Sequence, residues 1–278
     1  MIQKSYQKSD LGILYLVPTP IGNLDDITLR AINVLKDVDL IFAEDTRETY
    51  KLLNKLNIKN KVESCHKYTE NMHKEKILSE LKTGKNIAFV SDRGTPMISD
   101  PGNYLVPYLI SNGINVISLP GPSALLPALN MSGIDNEKFL FYGFLSSSEG
   151  ELVKELKKLK NIPYTCVFYE SPHRISHTIS LFLDILGNRQ VSIIREISKL
   201  HEEIFRGNLE EAITYCKSIK GEIVIVVSGN KKIEETVDYI FEVKKLIEQG
   251  MKKSTAVKEV SELYNISKNV LYEECKEL

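Results

Sequence analysis

The chain has 278 residues, of which 42% are hydrophobic and 26% charged. That composition excludes a fibrous or long disordered polymer and is enough for two globular domains. Its 36 basic and 37 acidic residues nearly cancel, so any nucleic-acid surface must be a local basic patch rather than a bulk property.

Residues 1–11 read as a polar, flexible N-terminus without the apolar run of a signal peptide. Residues 12–135 then alternate between strand and helix patterns. Gly12 to Pro18 is a short apolar run that predicts a buried strand. Thr28 can cap a helix that places Ala31, Val34, Leu35 and Val38 on one face. Leu40 to Ala43 is a second strand. Asp45, with Glu48 three residues on, resembles a capping box before a stripe of Leu52, Leu53 and Leu56. Ile77, Leu78 and Leu81 form a helix face ending at Gly84, and Asn86 to Ser91 is the next strand. A helix over Tyr104 to Leu109, a strand over Asn115 to Leu119 and a helix from Ser123 to Met131 complete this α/β domain. Such alternation predicts a mostly parallel sheet covered by helices.

Residues 136–231 form a second α/β domain. Its strands are expected at Phe139 to Phe144, Tyr164 to Tyr169, Val191 to Arg195, Glu203 to Arg206 and Glu222 to Ser228. One helix carries Ile175, Ile179, Phe182 and Leu186, and another starts at Asn208 with Glu211 in capping-box position. Neighbouring strands with no helix between them, around residues 196–206, predict a mixed sheet.

Residues 232–278 read as a small helical module. Val237, Ile240, Phe241 and Ile247 lie on one helix ending at Gly250, while Ser254 and Ser267 are expected to cap two more. Its eight lysines against ten acids suit packing or dimerisation as well as RNA contact. No stretch reaches the roughly 18 apolar residues of a membrane span, and the four cysteines are widely separated. A cytoplasmic protein with reduced thiols is expected. His173 and His177 are four residues apart, and His66 and His73 lie near Cys65, but no third ligand has suitable spacing, so no metal site is expected.

The loops carry the chemistry. Six prolines come as pairs, Pro18/Pro20, Pro96/Pro101 and Pro120/Pro122, in loops that also hold Gly22, Gly94, Gly102 and Gly121. Each loop follows the C-terminal end of an expected strand, the edge where open parallel sheets bind ligands. Proline stiffens the backbone and removes N–H groups, while glycine permits close approach. Neither GxxxxGK[ST] nor GxGxxG occurs, so a ligand held by carbonyls and apolar contacts fits better than a nucleotide phosphate.

The stretches LVPTPIGNL (16–24), AEDTR (43–47), SDRGTPMISDPG (91–102), PGPSA (120–124), FYESPHR (168–174) and REISK (195–199) resemble the ribosomal small-subunit RNA methyltransferase I family. The resemblance covers Gly12 to about Asn230 and, more weakly, the helical tail. It implies two α/β domains of the tetrapyrrole-methylase type with S-adenosyl-L-methionine (SAM) in the cleft between them, usually in a homodimer. It further implies 2′-O-methylation of a cytidine ribose in the decoding region of 16S ribosomal RNA. By motif position, Ile21, Gly94, Thr95, Ile98, Ser123, Ala124 and Tyr169 should approach the cofactor, along with Glu170. Arg93 stands where the family usually has a small residue; beside a sulfonium it must point away or pair with an acid.

A ribose hydroxyl is a poor nucleophile, and a placed base accelerates such a step by roughly 10²–10⁴-fold. Glu170, Lys199 and Glu196 are the leading candidates, with Asp45 and Asp100 behind them; each acid has a structural ion pair as its alternative. Lys199 would need a depressed pKa, which Arg195 could help produce. Arg47, Arg174 and Arg195, with Lys199, are candidates for a local RNA patch, and Tyr68 or Tyr169 for stacking on a base. Two other functions compete: methylation of a tetrapyrrole ring carbon, and a non-catalytic SAM-sensing or ribosome-binding role.

Overall fold

A computed structural model describes residues 3–4, 10–65, 70–99, 104–230, 238–264 and 266–276. Two compact units result, Met1–Asn230 and Lys231–Leu278.

The first unit opens with a five-stranded, all-parallel sheet of β1 (Ile13–Val17), β2 (Leu40–Ala43), β3 (Val62–Ser64), β4 (Ile87–Val90) and β5 (Asn115–Ser118), in the order β3-β2-β4-β1-β5. β2 and β4 are buried at every position, as apolar strands covered on both faces must be. Alternation sends Val17, Ile41, Ala88 and Val90 to one face, where α1 (Leu29–Asp37) and α2 (Thr46–Lys55) bring Ala31, Leu35 and Leu53. Leu14, Phe42 and Phe89 point to the other face, against Ile77 and Leu81 of α3 (Glu70–Lys82) and Leu105 and Leu109 of α4 (Leu105–Ser111). β1 and β4 are neighbours whose following helices, α1 and α4, cover opposite faces. Their C-terminal ends therefore open a crevice, the topological switch point of the sheet.

α5 (Leu125–Met131) leads into the second sheet: β6 (Phe139–Phe144), β7 (Thr165–Glu170), β8 (Gln190–Arg195), β9 (Glu203–Asn208) and β10 (Ile223–Val227). Its order is β6-β7-β10-β8-β9, with β6 and β7 parallel and the other pairs antiparallel. The sheet is mixed because the β8–β9 hairpin leaves no room for a crossover helix. One face packs on α6 (Glu149–Leu159), α7 (Ile175–Leu186) and α8 (Leu209–Tyr215), with Phe168 and Phe182 fully buried. Burial of each such ring contributes about 1.5–3 kcal/mol. The opposite face meets Ala128 and Leu129 of α5, with Ile21 from the first sheet's β1 loop packed at its margin. This contact places the two sheets on opposite sides of the crevice.

Several elements differ from the sequence reading. β3 is only three residues long and α6 follows a polar stretch, so neither gave a periodic window; Leu152, Leu156 and Leu159 nonetheless form the buried stripe of α6. Asp45 caps α2 by accepting from the Arg47 N–H at 2.8 Å rather than through a capping box with Glu48, whose carboxylate instead takes Lys51. Asn208 and Glu211 do form the reciprocal capping box of α8.

The second unit contains α9 (Tyr239–Glu248), α10 (Lys253–Tyr264) and α11 (Lys268–Glu274) around Val243, Ala256, Val257, Val260, Leu271 and Cys275. Ser254 lies inside α10 instead of capping it, and Ser267 occupies the N-cap of α11 without a side-chain hydrogen bond. Val237 lies outside the described residues, as do His66, Tyr68 and Asp100. Among the described residues, no helix is long and apolar enough to cross a membrane.

Candidate active site

The loops after β1, β4 and β5 meet at the crevice. Thr19 and Gly94 exchange two backbone hydrogen bonds of 2.9 Å as an isolated antiparallel bridge. The buried Thr19 hydroxyl donates to the Ser91 carbonyl at 3.1 Å, and Thr95 donates to the Pro122 carbonyl at 2.9 Å. Gly94 turns with φ +78°, a conformation glycine adopts without strain, and a Cβ there would press on Ile21 at 3.3 Å. The described parts of the three loops are thus stitched together by a backbone bridge and by threonine hydroxyls, as a preformed pocket wall requires.

They bound a cavity of about 410 Å³ between the two sheets. Ile21, Gly94, Thr95, Ile98, Ser123, Ala124 and Tyr169, all expected at a cofactor, line it together with Glu170. The second sheet adds Phe144, Ile197, Gly221, Glu222, Ile223 and Val224, and Ser99 completes the β4 loop. Sequence reasoning missed these. Ile197 lies inside the REISK motif but drew no role of its own, Val224 sits within an expected strand, and nothing in the spacing distinguished Glu222 from a strand end. Tyr169 is packed edge-on by Phe141 at 5.0 Å and Phe144 at 5.5 Å, which fixes its ring against the wall.

A charged cluster stands at the mouth. Lys199 Nζ donates to Glu196 Oε1 at 3.0 Å and to Glu222 Oε2 at 2.6 Å, and Arg93 pairs with the other oxygen of Glu222. Arg93 comes from the first sheet's loop and Glu222 from the second sheet, so this ion pair ties the lobes across the cavity. It also answers how a long cation is accommodated here: Arg93 pairs with an acid. The Glu196 carboxyl is held below the usual glutamate range, first by the Glu222 N–H at 2.9 Å and also by Lys199. Arg195, expected to depress Lys199, directs its guanidinium to Glu203 at 2.5–2.6 Å instead.

Glu170 is a different case. Its side chain is 1% exposed. Oε1 accepts from the Ser171 N–H at 2.7 Å and Oε2 from the buried Thr178 hydroxyl at 2.7 Å. Arg174 stands 3.6 Å from Oε1, and its guanidinium donates to the Leu145 and Ser146 carbonyls at 3.3 and 2.7 Å. Glu170 and Arg174 therefore join the start of α7 to the end of β6. Asp45 and Arg47 pair with each other at the end of β2; the Arg47 guanidinium pulls the Asp45 carboxyl far below the ordinary aspartate range, and Arg47 stays 84% exposed. His173 and His177 are both exposed on α7 and its approach, and among the described residues no three His, Cys, Asp or Glu side chains are grouped to hold a metal ion.

The family model for tetrapyrrole (corrin/porphyrin) methylases matches residues 13–213. A ribosomal RNA small subunit methyltransferase I from Bacillus subtilis (strain 168) is 44% identical over 276 residues, covering 96% of this chain and 94% of the relative. The chain belongs to the ribosomal RNA small subunit methyltransferase I family. The Thermotoga maritima relative of the same name is 47% identical over 225 residues, 80% of this chain and 100% of its own length. Among solved structures, uroporphyrin-III C-methyl transferase from Thermus thermophilus complexed with S-adenyl homocysteine has a TM-score of 0.57 at 21% identity, covering 78% of this chain and 97% of that one. The methyltransferase CobJ has a TM-score of 0.61 at 16% identity over 79% and 95% of the two chains. These likenesses establish the tetrapyrrole-methylase fold.

The protein is accordingly a SAM-dependent methyltransferase. The cavity residues suit that cofactor. Isoleucines, Ala124 and Val224 offer apolar walls for an adenine and for the aliphatic part of the methionine chain. At the mouth Glu222 and Glu196 balance Arg93 and Lys199, so the long cation beside the cavity does not meet a sulfonium uncompensated.

Proposed function

We propose that this methyltransferase modifies the 2′-hydroxyl of a cytidine ribose in the decoding region of small-subunit ribosomal RNA. The observation that carries the reading is the apolar cavity with the Arg93–Glu222–Lys199–Glu196 cluster at its mouth. The relatives named ribosomal RNA small subunit methyltransferase I support the RNA class, and the six motifs resembling that family support the nucleotide.

When bound, SAM supplies an electrophilic methyl carbon on a positively charged sulfur. Ile21, Gly94, Thr95, Ile98, Ser123, Ala124 and Tyr169 hold and orient it, and alignment of this kind is worth roughly 7–11 kcal/mol of barrier. Lys199 anchors the acceptor oxygen. The acceptor oxygen would displace the thioether, the C–S bond breaking as the O–C bond forms and neutral S-adenosylhomocysteine leaving, while the O–H proton would pass to a carboxylate, Glu196 or Glu222. Lys199 bridges both, so the charge is shared without crossing bulk water. Glu170 contributes as a wall-forming residue because its side chain is 1% exposed and both of its oxygens are bonded within its own lobe. Arg47 extends toward RNA from the end of β2, whereas Arg174 and Arg195 hold their own lobe together. Two copies act as a homodimer, which sedimentation at assay concentration checks.

The test is incubation of the protein with labelled SAM and small ribosomal subunits, followed by alkaline hydrolysis. Label confined to RNA that resists cleavage at one position is expected. Label in base carbons, label in an added macrocycle only, or no transfer would refute the reading.

A further inference from the structure

A second cavity, of about 430 Å³, lies beside the first and shares Ile21 and Arg93 with it. Its character is opposite. Lys51, Lys55, Arg93 and Lys199 line it with Glu48 and Asp92; Glu222 and Glu196 behind the wall take Arg93 and Lys199, so the cations that face the opening are the two lysines of α2. Lys51 and Lys55 are four residues apart on α2, so they project from one face of that helix. Lys51 takes only the exposed Glu48, at 2.6 Å, and Lys55 has no acidic partner among the described residues. Arg93 and Lys199 stand in the wall toward the first cavity, each held by Glu222.

We propose that this basic pocket binds the phosphodiester on the 3′ side of the acceptor ribose and so selects a 2′-hydroxyl as the atom to be methylated. The inference rests on the RNA reading above. In RNA the 2′-hydroxyl and the 3′-phosphodiester are carried on adjacent ribose carbons. A phosphate site that shares a wall with a methyl-donor cavity therefore brings that hydroxyl to the donor. A base atom lies across the sugar from the 3′-phosphate, and the shared wall does not favour it.

The experiment compares wild type with the K51A/K55A double variant, the K51R/K55R variant and a control, K157A/K158A, on the exposed side of α6. SAM binding is followed by calorimetry, RNA binding by titration with a labelled small-subunit RNA fragment at several salt concentrations, and methyl transfer by KM and kcat for small subunits. For K51A/K55A we expect unchanged SAM affinity and near-unchanged kcat, with KM for the subunit raised about 5- to 30-fold. The salt slope of RNA binding should fall by roughly 0.7 for each lost phosphate contact on a single strand. K51R/K55R should retain most RNA affinity, and the control should match wild type. A K51A/K55A protein with wild-type KM and salt slope, while wild type methylates RNA, overturns the pocket and leaves the RNA reading standing. A wild-type protein that transfers no methyl group to RNA overturns both.

Discussion

Replacing Glu170 separates an anchoring carboxylate from a proton-accepting one. In Glu170→Gln the amide oxygen can still accept from the Ser171 N–H, and the Thr178 hydroxyl can rotate to accept from the new NH₂ group. Both contacts, each 2.7 Å in the native protein, survive in neutral form. Hydrogen bonds to a charged group contribute about 1.5–3 kcal/mol and neutral ones about 0.5–1.5, so with two bonds affected the loss should be about 2–3 kcal/mol in total. Glu170→Ala leaves two donors at a site 1% exposed, and each unsatisfied group costs about 1–3 kcal/mol. A loss of about 3–5 kcal/mol is expected, cavity included. Thr178→Val removes one bond from the α7 side without touching the cavity wall and should cost about 1–3 kcal/mol. Urea unfolding, read as midpoint shifts at constant slope, gives these values, and methyl transfer is then normalised to folded protein. Glu170→Gln should keep transfer within a few-fold of wild type. If Glu170→Gln is as stable as wild type yet about 100-fold slower in single turnover, Glu170 is the base and the anchoring argument fails.

Gly221 has φ +94°, and a Cβ there would meet Glu196 Oε1 at 2.4 Å. Gly221→Ala should therefore cost roughly 1–2 kcal/mol from the backbone alone and slow transfer further by displacing Glu196 from Lys199; thermal unfolding together with single-turnover rates checks both. Because the folded-state pKa of Glu196 is depressed, the stability it contributes is complete above the ordinary glutamate value of 4.5 and is lost as pH falls through that value toward the lower folded one. Transfer should accordingly hold from neutral pH down to about that value, and Glu196→Gln should flatten the acid limb of the stability profile. Asn208→Ala removes one arm of the α8 capping box and should lower stability by about 0.5–2 kcal/mol with no effect on SAM affinity, as measured by denaturation and calorimetry.

The fold was legible because its signals are local and periodic. α1 begins where Thr28 accepts from the Ala31 N–H, and β2 and β4 are short apolar runs between polar ends. The mixed second sheet followed from adjacent strands with no helix between them. That the loops after β1, β4 and β5 meet at one cavity was legible for a different reason: prolines and glycines cluster after strands, and parallel strands deliver their loops to one edge. What could not be read was pairing across the two sheets. Arg93 and Glu222 are 129 residues apart, and Ser198 and Asp26 are 172 apart, so neither pairing leaves a local trace. Arg174 and Arg195 carry the residue type of an RNA patch, but their partners are a pair of carbonyls and Glu203. Charge in a sequence shows where a cation is, and only the fold shows whether its charge is already satisfied.

Backbone strain marks the same region independently. Among the described residues, five non-glycine residues have positive φ, and four of them, Met97, Ser99, Glu196 and Ser198, lie on the loops after β4 and β8 that face each other across the mouth. Such conformations cost of order 1–3 kcal/mol each and persist only where surrounding contacts over-determine them. Those contacts are present. The Ser198 N–H donates to Glu202 at 2.8 Å, the Lys199 N–H donates to the Glu196 carbonyl at 3.0 Å, and Asp26 takes the Ser198 hydroxyl from the opposite lobe. Glycines at Glu196 and Ser198 would remove the strain but also the carboxylate beneath Lys199 and the hydroxyl that reaches Asp26. Relaxation of either loop would carry Lys199 away from Glu222 and Arg93. The strain is thus the cost of presenting an ammonium group between two carboxylates at the rim of an apolar cavity, a position no regular strand or helix would give it.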